Sequence, residues 1–397
     1  MNFLGQRLNR NLPSLLLSAA LTVSLAACAN LPRAGKPASH KSGDLDRALQ
    51  AVRARHAPDR HLAIFNVGFQ RSGSSVTLTG EVDNVTAKAD ALAAARAAGF
   101  NVTDRITVLP DTEFGDASWG IVCLSVANAR EKPENTAELG TQVLMGNPVR
   151  VWKRSRIWYL IQTADRYVAW MEKGSFQRCT QADVEAWNNS PLLIVTTFED
   201  CVREKPEAGA QPVTDVVMGG LLKKTGEQGE WFKIELPDHR SGYLPRISAE
   251  DYAGWKKSRH ATPENIEHAA KQLLGRPYLW GANSPKGLDC SGLNKLVFFL
   301  NGIDLDRNAS HQARQGVEVP LDTDLSQLRK GDLVFFGFRG SWRRPERVTH
   351  TGIYLGDKLF IHSSERVHIS SLDPASPIRD AQRIRMLLHA RRILPEK

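Results

Sequence analysis

The tetrapeptide "REKP" occurs at 130–133 and again at 203–206, and its surroundings repeat with it. Each copy runs from a β-rich stretch through "REKP" to an "LMG" (144–146) or "VMG" (217–219) turn. A strand built on a tryptophan follows, then a closing "YVAW" or "GYLP". A period of roughly seventy residues marks two copies of one module. Short apolar runs broken by Gly, Pro and Asn turns make both copies β-rich. We therefore place one small β-rich module at 118–188 and a second at 189–250. Length points the same way, because 397 residues exceed what one hydrophobic core ordinarily serves. Such modules act as binding units or as rigid spacers, and the repeat alone leaves both open.

Upstream of the repeat, Arg7 and Arg10 precede "LPSLLLSAALTVSLAAC". The run is short and Ser/Ala-rich, the pattern of an export signal over 1–27 and not of a membrane span. It ends in "LAAC", so Cys28 is the candidate lipidated first residue of the exported chain; a plain signal peptide with an incidental cysteine is the alternative. Ala29 after it suggests the outer membrane, with the protein facing the periplasm. Residues 28–44 are rich in Pro, Ala, Ser, Gly and Lys and read as a tether. A helix from 45, two alternating strands, the Ala-rich "TAKADALAAARAAGF" and the strand "DRITVLPD" make a small α+β module over 45–112. It carries no cluster of His, Cys or carboxylates.

The formal net charge is +9, but lysines and arginines are spread along the chain. That pattern gives a solvated surface and does not point to nucleic acid. Export implies an oxidising compartment. Cys123, Cys179, Cys201 and Cys290 follow Cys28, and their spacing assigns no pair: Cys179–Cys201 is conceivable, and so are free thiols.

The chemistry concentrates after 262, where Thr262 and Pro263 open a helix. In "GLDCSGL", Cys290 is followed by Leu293, Leu296, Val297 and Leu300 at helical spacing. Cys290 therefore opens a helix, where free N–H groups and the helix dipole favour a thiolate and lower its pKa. Further on, "VTHTGIYLGDKLFIHSS" reads as a hairpin turning at Gly356–Asp357–Lys358. That register sets His362 opposite Gly352 and puts His350 on the same face. One histidine can then act as the base for Cys290 and the other can orient it.

The segments "GRPYLWGANSPKGLDCSGL", "SHQARQG", "KGDLVFF", "VTHTGIYLG" and "FIHSS" resemble, in order and spacing, the motifs of NlpC-type cell-wall cysteine peptidases. The resemblance implies a papain-like α+β domain over 262–397, with Cys290 as nucleophile, His350 as general base and acid, and His362 as the orienting group. The oxyanion would be held by the N–H of Cys290, with the Tyr278 hydroxyl as a second candidate donor. The two repeats look like bacterial barrels of the Src-homology type. Such barrels ahead of this domain are similar to the layout of γ-D-glutamyl-L-diamino acid endopeptidases, which cut peptidoglycan stem peptides bearing a free N-terminal L-Ala. In that group Tyr278, Asp289 and Ser291 would contact the L-Ala-γ-D-Glu portion; Asp289 and Ser291 also read as helix-capping residues. Where the family carries an aspartate toward the substrate amine, this chain has Asn308. Glu138 in "AELGTQ" is the candidate to supply the missing charge.

The fold class expected is thus multidomain α+β: an α+β module, two small β-barrels and a papain-like peptidase domain. Four arginines in "GFRGSWRRPER" (337–347) form either a carboxylate-binding loop or a solvated one. No metal or cofactor is implied, since the spacing of His350, His362, His311 and Asp289 matches no zinc pattern. The partners expected are stem peptides and, through the lipid, a membrane. An amidase or acyltransferase on the same fold, and a non-catalytic wall-binding lipoprotein, are the rival readings.

Overall fold

The computed structural model describes residues 39–395; the signal segment 1–27 and Cys28 lie outside them. Helix α1 (Ser39–His56) begins inside the stretch read as tether. Its residues Leu45, Leu49 and Val52 are buried at helical spacing. Strand β1 (Phe65–Ser72) pairs antiparallel with β2 (Ser75–Val82). Helix α2 (Val85–Ala97) then crosses over to β3 (Asn101–Val108), which lies parallel to β2. The side chain of Asn84 caps α2 by accepting from Ala87 N at 2.8 Å. Ala87, Ala91 and Ala95 bury one stripe of this helix, small enough to let it lie close on the sheet.

The duplicated segment forms two seven-stranded sheets, over Trp119–Cys179 and Leu192–Asp251. Numbered within each copy, the strands lie in the same spatial order, 7-1-4-5-6-2-3. The repeated residues do repeated work. Arg130 donates to Ala137 O at 2.8 Å, and Arg203 donates to Ala210 O at 3.0 Å, each arginine closing its own loop after "REKP". A register shift falls at the same place in both, between Ala129 and Arg130 and between Val202 and Arg203.

In the C-terminal domain, α3 (Pro263–Gln272), α4 (Cys290–Phe299) and the short α5 (Ala309–Gln312) pack on an antiparallel sheet. Its strands are β4 (Leu333–Phe338), β5 (Arg347–Gly356), β6 (Leu359–Ser364), β7 (Arg366–Ser371) and β8 (Leu387–Arg392), with helix α6 (Ala381–Met386) before β8. The order across the sheet is Val317–Glu318, β8, β4, β5, β6, β7. Leu293, Leu296 and Val297 of α4 bury against Leu333, Phe335, Ile353 and Ile361. Each such side chain contributes about 1.5–3 kcal/mol of burial, so the helix carrying Cys290 is held firmly on the sheet carrying the histidines.

The modules meet around this domain. Gln142 N donates to Asn283 Oδ1 at 2.8 Å and Asn283 N donates to Gln142 Oε1 at 3.1 Å, a reciprocal lock between the first barrel and the peptidase domain. Gly281 sits at φ +78°, and a Cβ there would lie 2.1 Å from Leu139 O, so only glycine lets these two backbones touch. The N-terminal module reaches the same place. Asp59, in the loop between α1 and β1, faces His311 Nε2 at 2.6 Å. His61 stacks on Tyr167 of the first barrel with centroids 5.3 Å apart.

Candidate active site

The site begins with a capped helix. Asp289 is the N-cap of α4 and accepts from Gly292 N at 2.7 Å. It also accepts from Gly281 N at 3.0 Å and Ser291 Oγ at 3.2 Å. Arg307 completes its shell, through Nη1 at 3.1 Å and Nη2 at 2.5 Å, and Nη1 also reaches Ser291 Oγ at 2.9 Å. The Arg307 side chain is only 2% exposed. Asp289 and Ser291 thus face a buried arginine, and the acceptor positions of the carboxylate are taken.

Cys290 follows, 8% exposed. The backbone N–H groups of Thr351 and Ser291 and the Arg307 charge act on it in the direction that favours a thiolate. A helix N-terminus alone leads to a lowered thiol pKa. Instead, burial first and the charge of Asp289 second push the Cys290 thiol up to about 12, against the pull of those N–H groups and Arg307. The physical reason for the reversal is desolvation, because little water reaches the sulfur to stabilise a thiolate. The resting protein therefore holds a neutral thiol.

The hairpin behind it carries the histidines. Tyr354 pairs with Phe360 and Gly356 with Leu359, with an irregularity between them, and Asp357 and Lys358 form the turn at φ +50° and +60°. The turn is one residue tighter than the sequence suggests, and the bulge restores the register. Gly352 still lies beside His362: a Cβ on it would stand 3.1 Å from His362 Cβ. This leaves room for His350 Nε2 to reach His362 Nδ1 at 2.8 Å, and His362 Nε2 meets Ser370 Oγ at 3.1 Å. If His362 donates to Ser370, its Nδ1 accepts from His350. His350 Nδ1 is then left without a proton and able to take one.

The link from helix to hairpin is polar. Asn294 donates to Thr351 Oγ1 at 3.0 Å and to Gln312 Oε1 at 3.1 Å, and Gln312 donates to Ser291 O at 3.0 Å. Ser363 donates to Leu288 O at 2.7 Å. These contacts fix the cysteine turn relative to the histidine strands.

Both imidazoles are held neutral. Burial, then Arg383 and the neighbouring histidines, lower His350 well below 6.5. Burial, then His368 and Arg383, lower His362 to about 3. The folded state refuses protons that the unfolded chain accepts below about pH 6.5. Stability is therefore complete above that pH and falls as pH drops toward 3, by up to about 1.4 kcal/mol per unit for each histidine. Thermal melting followed from pH 7 to pH 4 is expected to show this loss, and His362→Gln is expected to flatten the slope; an equal slope in that variant would contradict it.

Of the other predicted residues, Tyr278 is half-buried, bridges to Leu288 and donates its N–H to Glu365 O at 2.8 Å. Burial, then Cys290 and Asp289, raise its hydroxyl, which stays a hydrogen-bond donor. Asn308 is the N-cap of α5 without a side-chain capping bond, adjacent to Arg307. Glu138 is exposed, and its carbonyl accepts from Glu131 N at 2.9 Å. Acids of the first barrel that join the domain junctions include Glu131, bonded by Tyr167 Oη at 2.9 Å and by Arg60 at 3.3 Å, and Asp165, paired with Lys295 of α4 at 3.0 Å. The arginine loop at 337–347 is largely exposed, with Trp342 87% exposed under Arg343. His311 is bound to Asp59, and among the described residues no three His, Cys, Asp or Glu side chains converge as a metal site. Cys123, Cys179, Cys201 and Cys290 are all free thiols. Arg307, Asp59 and Glu131 escape sequence reading, because an isolated charge gives no sign of a buried partner that is distant in the chain.

Comparison with known proteins agrees with this layout. Residues 275–385 match the NlpC/P60 family, and residues 129–176 match the bacterial dipeptidyl-peptidase Sh3 domain. Dipeptidyl-peptidase 6 of Lysinibacillus sphaericus is 28% identical over 273 residues, 65% of this chain and 93% of that protein. The gamma-D-glutamyl-L-lysine dipeptidyl-peptidase of Bacillus subtilis is 26% identical over 56% of this chain and 71% of its own length. A crystal structure of an NlpC/P60 family protein from Bacillus cereus superposes with a TM-score of 0.60 at 22% identity, over 70% of this chain and 100% of that one. It supports the fold.

Proposed function

We propose that this chain, a cysteine peptidase that carries an NlpC/P60 domain behind paired Sh3-type barrels, hydrolyses the bond between γ-D-glutamate and a diamino acid in peptidoglycan stem peptides. The observation that carries the reading is a buried cysteine at the N-terminus of a helix packed on the strands that carry His350 and His362, whose rings meet at 2.8 Å. Relatives named for γ-D-glutamyl-L-lysine dipeptidyl-peptidase activity support the choice of bond.

In this mechanism His350 Nδ1 takes the Cys290 proton as Sγ attacks the γ-carbonyl carbon. Attack and proton transfer are concerted, because neither a free thiolate nor a free imidazolium is stable in the buried resting site. The oxyanion accepts from Cys290 N–H and Tyr278 Oη. His350 then protonates the departing amine as the C–N bond breaks, leaving an L-Ala-γ-D-Glu thioester. Water attacks the thioester, giving its proton to His350, which returns one to the sulfur as the acid leaves. His362, anchored on Ser370, keeps His350 in the accepting tautomer throughout.

Digestion of L-Ala-γ-D-Glu-diaminopimelate with product masses read over time tests this. The expected products are L-Ala-γ-D-Glu and the free diamino acid; scission elsewhere, or none, would overturn the reading. Anchoring at Cys28 to the outer membrane belongs to the same proposal, supported by "LAAC" at 25–28. Membrane fractionation checks it, with Cys28→Ala expected to release the protein.

A further inference from the structure

One cation beside the site is left over once the relay is assembled. Arg383 lies on α6, and its side chain is only 14% exposed. Its guanidinium lies over the Phe336 ring, 5.9 Å from the centroid, and Phe336 in turn packs against His350 with centroids 5.9 Å apart. Asp380 forms a long ion pair with the guanidinium, Oδ2 standing 3.9 Å from Nε and beyond hydrogen-bond reach, while Oδ1 caps α6 through Gln382 N and Arg383 N. Nε is buried without any hydrogen-bond partner. The other buried arginine of the site, Arg307, likewise has an unpartnered Nε, but its terminal nitrogens are bonded by Asp289 and Ser291.

A largely buried guanidinium held only by an ion pair too long for a hydrogen bond keeps donors open that a ligand acceptor can fill. Its fork matches a carboxylate. Phe336 touches both Arg383 and His350, so the guanidinium stands one ring away from the proposed base. A γ-glutamyl peptide offers carboxylates there: the α-carboxylate of D-Glu, three carbons from the scissile carbonyl, and that of the diamino acid where it ends the peptide.

We propose that Arg383 is a specificity-determining residue that receives a substrate carboxylate flanking the scissile amide. The inference rests on the γ-glutamyl reading above. It moves carboxylate recognition from the exposed arginine loop at 337–347 to a half-buried arginine beside the histidines. Replacing the carboxylate by its amide removes the charge-assisted bonds and is expected to weaken binding about tenfold to a hundredfold.

Calorimetric binding to the Cys290→Ala protein tests this without needing turnover. Three peptides serve as probes: L-Ala-γ-D-Glu-L-Lys, the same peptide with the D-Glu α-carboxylate amidated, and the same peptide with the lysine carboxylate amidated. One amidated peptide is expected to bind at least tenfold more weakly, which also says which carboxylate is held. Arg383→Met is expected to erase that difference by weakening only the peptides that keep the carboxylate, and Arg383→Lys to retain part of it. Equal binding of all three, or a uniform loss in Arg383→Met, would overturn the inference. Binding of none would overturn it together with the substrate reading.

Discussion

Cys290→Ala is expected to lower peptide hydrolysis by about four to six orders of magnitude, the scale of loss when the nucleophile of a coupled catalytic set is removed. The loss is this large because no other nucleophile among the described residues of the site is free to take over. The described free thiols Cys123, Cys179 and Cys201 belong to the barrels. Ser291 is committed to Asp289 and Arg307. The fold should survive, since the substitution removes one sulfur atom and leaves the Asp289 cap, the Asn294–Thr351 bond and the apolar stripe of α4 in place. Steady-state rates with a matching circular dichroism spectrum check it. Residual activity within a hundredfold of wild type would mean that another group attacks the substrate.

Arg307→Leu is expected to cost stability instead, about 3–5 kcal/mol, because it strands a buried carboxylate. The Asp289 side chain is 11% exposed and that of Arg307 2%. Water can therefore replace little of what the guanidinium provides. Gly281 and Gly292 N–H would still bond Asp289, which keeps the cost finite. Adding Asp289→Asn removes the stranded charge while keeping an N-cap side chain, so the double variant is expected to recover at least half of the loss. Denaturant midpoints with unchanged m-values measure both. Additive losses in the double variant would show that the two residues do not act as a pair.

What was legible in the sequence, and what was not, follows from the range of the interactions. The barrels showed through because duplication writes the same local code twice, down to the arginine of each "REKP" and the turns at Gly146 and Gly219. The histidine pair was legible because a hairpin register is a local property, and even the tighter turn at Asp357–Lys358 kept Gly352 beside His362 once the bulge is counted. The protonation state of Cys290 was not legible. Helix position is a local signal that favours a thiolate, whereas burial depends on the sheet and barrel packed over the helix. Arg307, Asp59, Glu131 and Arg383 stayed hidden for the same reason. His311 is 252 residues from the Asp59 it binds, and no periodicity joins them.

That long-range contact also gives the N-terminal module a place in the architecture. Its loop bonds Asp59 to α5 and stacks His61 on the first barrel, so three modules converge beside the Cys290 turn. The barrels are then more than spacers. Gly281 and Asn283, in the loop leading to Cys290, rest directly on the Leu139–Gln142 backbone of the first one.

The mass of the protein quenched in acid during turnover of L-Ala-γ-D-Glu-diaminopimelate addresses the central claim most directly. The expected result is a transient gain equal to an L-Ala-γ-D-Glu acyl group, lost on hydroxylamine treatment as a thioester is, and mapped by proteolysis to the peptide containing Cys290. Cleavage that proceeds with the acyl group on a different residue, or undiminished cleavage by the Cys290→Ala protein, would contradict it.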